Sequence, residues 1–245
     1  MSAETPGPTV TIDVVLASHR GLVRPANEDA VGVGGWVLTA QEALPLAVRL
    51  RPGASGVVVA VADGMGGHRG GAEASRAALT ALDPGASDLS VAVAAAAESL
   101  RTRGEAEPGL EGMGTTLVGV RIRADGTATF FNVGDSRAYR LVEGYLGQVS
   151  VDDRPAVATP ANRGVVTQHL GAGPAVALDP HVHEAQLVHG DRLLLCSDGL
   201  HDMVDDDRIA ACLRLPALEA VPALVAAALD AGGEDNVSVV LVDVR

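Results

Sequence analysis

A short apolar run that leads straight into an acidic residue and a group of glycines is the feature that most constrains this chain. Residues 57–62 (VVVAVA) are too few to span a membrane but suit a buried strand, and Asp63 follows them directly. The glycines at positions 64, 66, 67, 70 and 71 let main-chain carbonyls approach a ligand without an intervening Cβ. A rigidly held carboxylate beside such backbone suits a hard cation such as Mg²⁺ or Mn²⁺, because these ions prefer oxygen ligands.

Acidic residues stand beside the ends of other apolar runs in the same way. These further positions are Glu28, Asp29, Asp135, Asp198 with Asp202 four residues later, and Asp235. If the strands pair so that these ends converge, the carboxylates repel one another unless a cation lies among them. Two hard ions about 3.5–4 Å apart can clamp a phosphate for in-line attack. The pattern therefore predicts a metal site used in phosphate chemistry.

The charge balance and the distribution of apolar residues exclude several classes of protein. With 18 basic and 31 acidic residues the net charge is −13, which argues against nucleic acid or an anionic membrane as the main partner. Apolar residues form 47% of the chain without a linker-like break, which predicts a single domain over residues 1–245. No window suits a membrane span or a signal peptide, so we expect a cytoplasmic protein. Cys196 and Cys212 are predicted to be buried free thiols rather than disulfide or zinc ligands.

Hydrophobic periodicity predicts two groups of strands around a pair of helices, with further helices near the C-terminus. The predicted strands are residues 10–17, 30–38, 57–62, 115–123, 127–133, 137–142, 182–188, 192–196 and 237–244. The predicted helices are residues 69–82, 87–101 with Ser87 as the cap, 209–213 and 217–231. Residues 39–56 contain several prolines and glycines and are predicted to be a surface excursion. This order favours an α+β arrangement in which helices flank a two-sheet core.

Six segments together resemble the successive motifs of one enzyme family. They are SHRGLVRPANEDA at 18–30, VVVAVADGMGGHRGGAEAS at 57–75, GMGTTLVGV at 112–120, FFNVGDSRAYRL at 130–141, CSDGLHDMV at 196–204 and GGEDNVSVVLV at 232–242. Their order over about residues 18–244 is similar to that of the bacterial type 2C (PPM) metal-dependent serine/threonine protein phosphatases. The resemblance implies a four-layer α/β/β/α sandwich, two antiparallel sheets flanked by helices, with the metal centre at one end.

The resemblance also implies roles for particular residues. Two Mn²⁺ or Mg²⁺ ions would share a bridging hydroxide that attacks phosphoserine and phosphothreonine, and Arg24 would hold the phosphate with its planar fork. The implied metal ligands are Asp63 for both ions, Asp198 and Asp235 for one, Glu28 and the carbonyl of Gly64 for the other, and Asp135 with Asp202 for the third ion of bacterial members. The implied catalytic set is Arg24, Asp63, Asp198 and Asp235.

The implied partners are phosphoproteins that a serine/threonine kinase modifies, and the chain is expected to be a monomer that binds neither nucleic acid nor membrane. Two alternatives stay open: a phosphatase of the same superfamily that acts on an anti-sigma-factor antagonist, and a pseudophosphatase that serves as a binding module. The segment Asp153 to His169, which we call the flap, is shorter than in relatives and borders the expected substrate groove.

Three histidines carry weaker signals. His68 is either a general acid for the leaving group or a structural residue at a helix start. His181 and His183 share one face of a predicted strand, and such an isolated pair is expected to face solvent rather than to bind a metal.

Overall fold

The computed structural model describes residues 9–39, 45–66, 69–83, 85–157, 159, 164–171, 173 and 177–245. The strands are β1 Ile12–His19, β2 Ala30–Val33, β3 Trp36–Leu38, β4 Leu46–Leu50, β5 Val57–Ala62, β6 Gly64–Met65, β7 Gly114–Thr115, β8 Leu117–Ile122, β9 Thr127–Val133, β10 Arg137–Val142, β11 Tyr145–Gln148, β12 Leu170–Gly171, β13 His181–Gln186, β14 Arg192–Cys196 and β15 Val237–Val244. The helices are α1 Arg69–Ala81, α2 Leu89–Ala106, α3 Asp198–His201, α4 Asp206–Cys212 and α5 Ala217–Asp230.

Two six-stranded antiparallel sheets form the centre of the molecule. The first has the strand order β11-β10-β14-β15-β1-β4, and the second has the order β13-β9-β8-β5-β2-β3. A small third sheet, β12-β7-β6, lies beside the glycine-rich segment that follows β5. The central strands read as continuous apolar runs because both of their faces are buried.

Alternating side chains of these strands fill two different spaces. On β1, Val14 and Leu16 point into the cluster between the two sheets, whereas Val15 and Ala17 point to the opposite face. On that opposite face the first sheet is covered by α3, α4 and α5. Helices α1 and α2 cover the outer face of the second sheet with small residues such as Ala74. This arrangement confirms the predicted four-layer sandwich.

The structure departs from the predicted elements in several places, and three of these departures have a local cause. The predicted strand 30–38 is a hairpin, because Gly34 and Gly35 both have positive φ (58° and 89°) and form the two-residue turn between β2 and β3. The predicted surface excursion 39–56 contains strand β4, which pairs with the edge of β1 and packs Val48 against the core. The cap of α2 is Asp88, whose carboxylate accepts from Ser90 N at 2.9 Å, and not Ser87.

Two further expectations concern the whole chain. Cys196 and Cys212 are buried and free, as predicted. Across the described ranges, the helices are all too short or too polar to cross a bilayer.

A close approach between α3 and the start of β15 gives a test of this packing. A Cβ added to Gly199 would lie 2.0 Å from the carbonyl oxygen of Asn236, so we expect Gly199→Ala to lower the free energy of unfolding by about 2 kcal/mol or more. Urea unfolding of this variant beside Gly53→Ala checks it, since a Cβ on Gly53 meets no described atom within 4 Å. Equal stability of the two variants would contradict the close approach.

Candidate metal centre

The acidic residues singled out in the sequence converge at one end of the two sheets. One pocket of about 370 Å³ is lined by five of them, Glu28, Asp63, Asp135, Asp198 and Asp235, together with neighbouring backbone and part of the flap. Its described lining is Arg24, Pro25, Ala26, Glu28, Asp63, Gly64, Met65, Gly66, Thr116, Asp135, Gly164, Val166, Asp198, Asp235 and Asn236. Of the predicted site residues, Asp202 alone is missing from this described lining. The strand-end pattern therefore found every acid of the described lining, because strand ends that meet at one edge place their flanking residues together.

Asp63 is held rigidly between β5 and β6. Its N–H donates to the hydroxyl of Thr116 at 3.2 Å, and its carbonyl accepts from the N–H of Thr116 at 2.9 Å. The hydroxyl of Thr115 donates to the same carbonyl at 2.8 Å. These contacts with the β7–β8 junction fix the backbone from which the carboxylate enters the pocket.

Glu28 is positioned by the residue that follows Asp235. Its N–H donates to Asn236 Oδ1 at 2.7 Å, and its carbonyl accepts from the hydroxyl of Ser75 at 2.6 Å. Asn236 Nδ2 also donates to the carbonyls of Arg20 at 2.8 Å and Ala26 at 2.9 Å. The amide of Asn236 therefore ties the whole 20–28 loop to the start of β15.

Arg24 and Asp235 form an ion pair at the pocket. Arg24 Nη2 lies 2.6 Å from Asp235 Oδ2, and the arginine side chain is 54% exposed. The other oxygen of Asp235 accepts from the N–H of Asn236 at 2.8 Å. A half-exposed guanidinium with one contact keeps donors for an anion that enters the pocket.

Asp29 is a buried acid beside the pocket that belongs to the predicted strand-end acids but not to the implied metal ligands. It is 1% exposed, and its Oδ2 accepts from the hydroxyl of Ser197 at 2.8 Å. Ser197 directly precedes Asp198, so the contact joins the start of β2 to the end of β14. The sequence already indicates a different environment for Asp29 and Glu28. Both residues precede β2, and because successive residues of a strand face opposite sides, their side chains are expected to point in different directions.

Burial and mutual repulsion disfavour the charged forms of the clustered acids. Burial, reinforced by Asp29, Asp198 and Asp235, holds the pKa of Asp63 well above its ordinary value. Burial raises the pKa of Asp198 to about 7, with Asp135 and Asp235 adding to the effect. Burial likewise raises the pKa of Asp29 to about 6. The positive charge within the cluster is therefore too small to keep all of its carboxylates ionised at neutral pH.

The residues of this cluster fit hard cations. Asp198 Oδ1 is buried without a hydrogen-bond partner among the described residues, so it has a lone pair to offer. A Cβ on Gly64 would lie 2.2 Å from the carbonyl of Gly71, so only glycine leaves the backbone this close to the acids. Within the described residues, no three His, Cys, Asp or Glu side chains already surround one point.

The predicted third-ion ligands Asp135 and Asp202 do not fit a cation in the same way, because Arg154 already lies between them. Its guanidinium is 2.8 Å from Asp135 Oδ2 and 3.0 Å from Asp202 Oδ1. Burial acts to raise the pKa of Asp202, but neighbouring His201 and Arg154 lower it to about 2. This pair of acids is compensated by the protein's own cations.

The predicted histidine roles have different outcomes. His68 lies outside the described residues. His181 does not simply face solvent, because its Nε2 lies 2.9 Å from the buried carboxylate of Asp153. His183 is exposed, as expected.

The chain is similar to protein phosphatases in sequence and in structure. The sequence model of the family described as Protein phosphatase 2C matches residues 46–230. Serine/threonine protein phosphatase PstP of Mycobacterium tuberculosis is 35% identical over 96% of this chain and 46% of its own length. Serine/threonine phosphatase stp of Listeria monocytogenes is 31% identical over 92% of this chain and 93% of its own length. A crystal structure of the PstP catalytic domain with two manganese ions superposes with a TM-score of 0.78, at 34% identity, over 96% of this chain and 99% of that one. The chain thus spans about half the length of full PstP.

The raised pKa values predict that the free energy of unfolding of the metal-free protein falls as the pH rises. A carboxyl group with a higher pKa in the folded state binds more protons there, so its ionisation lowers the free energy of unfolding. For Asp198 the free energy of unfolding falls over the pH range from 3.8 to about 7. Asp202 titrates below this range. With chelator present, we expect a loss on the order of 2 kcal/mol between about pH 5 and pH 8 in urea unfolding.

Asp198→Asn is the control for this pH series and should flatten the slope. Added Mn²⁺ should stabilise the protein most at the higher pH, where the acids are ionised. A free energy of unfolding that rises with pH in chelator would contradict the repulsion among these carboxylates.

Proposed function

The chain belongs to the protein phosphatase 2C family, and from that premise we propose that it hydrolyses phosphoserine and phosphothreonine in proteins with the help of divalent metal ions. The observation that carries the proposal is the convergence of Arg24, Glu28, Asp63, Asp198 and Asp235 on one pocket. Arg24, Glu28 and Asp235 lie outside the residues 46–230 that match the family's sequence model. Their position in the pocket therefore supports the proposal independently of that match.

Two Mn²⁺ or Mg²⁺ ions are the proposed cofactors. Asp63, Asp198 and Asp235 would hold one ion, and Asp63 with Glu28 and the carbonyl of Gly64 would hold the other. When bound, such ions activate an attacking water and neutralise the charge of the phosphate. The chain contributes an all-oxygen set of donors, which matches the preference of these ions.

The protein's own groups bind and orient the phosphate. Arg24 carries five N–H donors in a planar fork, and its half-exposed position lets it hold two phosphate oxygens in the pocket. Gly164 and Val166 of the flap line the same pocket, so this segment contacts whatever surrounds the phosphate.

A cysteine nucleophile is not part of the proposal. Burial raises the pKa of the Cys196 thiol, which suppresses the reactive thiolate. Neither cysteine belongs to the described lining of the pocket. Direct hydrolysis without a covalent enzyme intermediate suits the site better.

The pseudophosphatase alternative is less favoured because the pocket keeps both the phosphate-binding arginine and every acid of the proposed two-ion site. The alternative substrate, an anti-sigma-factor antagonist, differs only in the phosphoprotein, and the phosphoprotein substrates of a serine/threonine kinase stay the broader proposal. A monomeric state and a cytoplasmic location stay predictions from the sequence.

Loss of the acid shared by both ions gives the first test. We expect Mn²⁺- or Mg²⁺-dependent hydrolysis of p-nitrophenyl phosphate and of a phosphothreonine peptide, abolished by excess chelator. Asp63→Asn should reduce turnover by about 10³-fold or more and weaken Mn²⁺ binding measured by calorimetry, because one carboxylate serves two ions. Asp125→Asn, in the turn before β9, is the matched control. Full activity of Asp63→Asn would overturn the bridging assignment.

Removal of the phosphate-binding guanidinium gives the second test. Arg24→Ala should raise KM for p-nitrophenyl phosphate by about tenfold to a hundredfold, as expected for a lost charged hydrogen bond, while Mn²⁺ stoichiometry is kept. Arg49→Ala is the matched control, because Arg49 also pairs with one aspartate but lies on edge strand β4. Lost Mn²⁺ binding with an unchanged KM would show that Arg24 supports the ligands instead of the phosphate.

A further inference from the structure

We propose that the guanidinium of Arg154 takes the place of a third divalent cation between Asp135 and Asp202, so that this chain binds two ions instead of three. The inference rests on the proposed function, since it concerns the metal content of the same centre. It departs from the expectation that Asp135 and Asp202 act as metal ligands.

The first support is the geometry of the arginine between the two acids. Arg154 Nε donates to Asp135 Oδ2 at 2.8 Å, and Nη2 lies 3.0 and 3.1 Å from the two oxygens of Asp202. Two nitrogen atoms of one planar group thus bridge two carboxylates. The side chain of Asp135 is 3% exposed and that of Arg154 is 28% exposed, so water screens this contact only in part.

The second support is the set of hydrogen bonds that fixes the backbone beside Arg154. The preceding residue, Asp153, donates its N–H to the carbonyl of Gly134 at 3.0 Å. Its carboxylate accepts from the N–H of Gly134 at 2.8 Å and contacts His181. Gly134 is the neighbour of Asp135, so the start of the flap and the turn that carries Asp135 are locked together. The arginine is therefore presented to Asp135 by a fixed backbone.

Arg24 provides the contrast within the same site. It contacts one carboxylate, is 54% exposed and lines the pocket. Arg154 contacts two carboxylates, is less exposed and is absent from the described lining of that pocket. An arginine that lines the pocket with one carboxylate contact can turn to a substrate, whereas Arg154 is committed to the two acids that it bridges.

Because arginine is always charged, Arg154 and a third divalent ion cannot occupy the position between Asp135 and Asp202 together. A guanidinium keeps its proton at any pH a protein tolerates, so it cannot yield the site by deprotonation. A divalent ion between Asp135 and Asp202 would have to displace Arg154 into solvent. The start of the flap would then lose the ion pair that fixes it to the metal end of the sheets.

Metal counting separates these possibilities. Equilibrium dialysis against Mn²⁺ up to about 1 mM, followed by metal analysis of the chelator-stripped and reloaded protein, measures ions per chain. We expect two ions for the parent chain, three for Arg154→Ser and two again for the double variant Arg154→Ser/Asp202→Asn. Arg140→Ser removes another arginine–aspartate pair, that with Asp191, and should keep two ions. Arg154→Gln, closer in size to arginine, serves if the serine variant does not fold.

The outcomes also separate this inference from the proposed function. Three ions in the parent chain, or an unchanged two in both Arg154→Ser and Arg154→Gln, would overturn the role of Arg154 and leave the phosphatase proposal standing. A folded parent chain that binds no Mn²⁺ would overturn the metal-dependent function and this inference together. A gain of one ion that the Asp202→Asn change reverses would support it.

Discussion

Repulsion among buried carboxylates at one end of the sandwich is the constraint on which the rest of the site depends. Asp29, Asp63 and Asp198 enter a common region in which burial already penalises their charged forms. A protein can hold such groups together only if the backbone beneath them is anchored elsewhere. Here the anchors are apolar strands whose side chains are buried on both faces. The stability gained by burying them offsets the cost of the clustered carboxylates at the edge of the sheets.

The acids do not come from one sheet. Asp63 follows β5 of the second sheet, whereas Asp198 and Asp235 border β14 and β15 of the first. The site therefore exists only when the two sheets are packed face to face, and the amide of Asn236 adds a tie from β15 to the loop before β2. Cations that neutralise these acids would stabilise the inter-sheet packing as well as the pocket.

Local sequence patterns were enough to place the main elements and the acids of the pocket, whereas Arg24 was identified through the family resemblance. Strand ends followed by acids are visible in sequence because burial demands an apolar run and the site demands a carboxylate beside it. The Gly34–Gly35 turn was missed because a continuous apolar pattern masked it, and β4 was missed because prolines and glycines flank its alternating residues. The bridge from Arg154 to Asp135 and Asp202 joins residues 19 and 48 positions apart, so no local pattern encodes it. The single domain over residues 1–245 stays a prediction.

The pairing of β1 with β15 has a practical consequence. These neighbours run antiparallel with Ile12 opposite Val244 and His19 opposite Val237, and His19 and Val237 stand at the metal end. The other ends of this pair, Ile12 and Val244, are therefore adjacent. At roughly 3.3 Å per residue they lie about 25 Å from the acids. A surface tether attached beside Ile12 or Val244 would start from the side opposite the acids. A short linker between these ends would also permit circular permutation, with new termini opened in a surface turn such as Gly144.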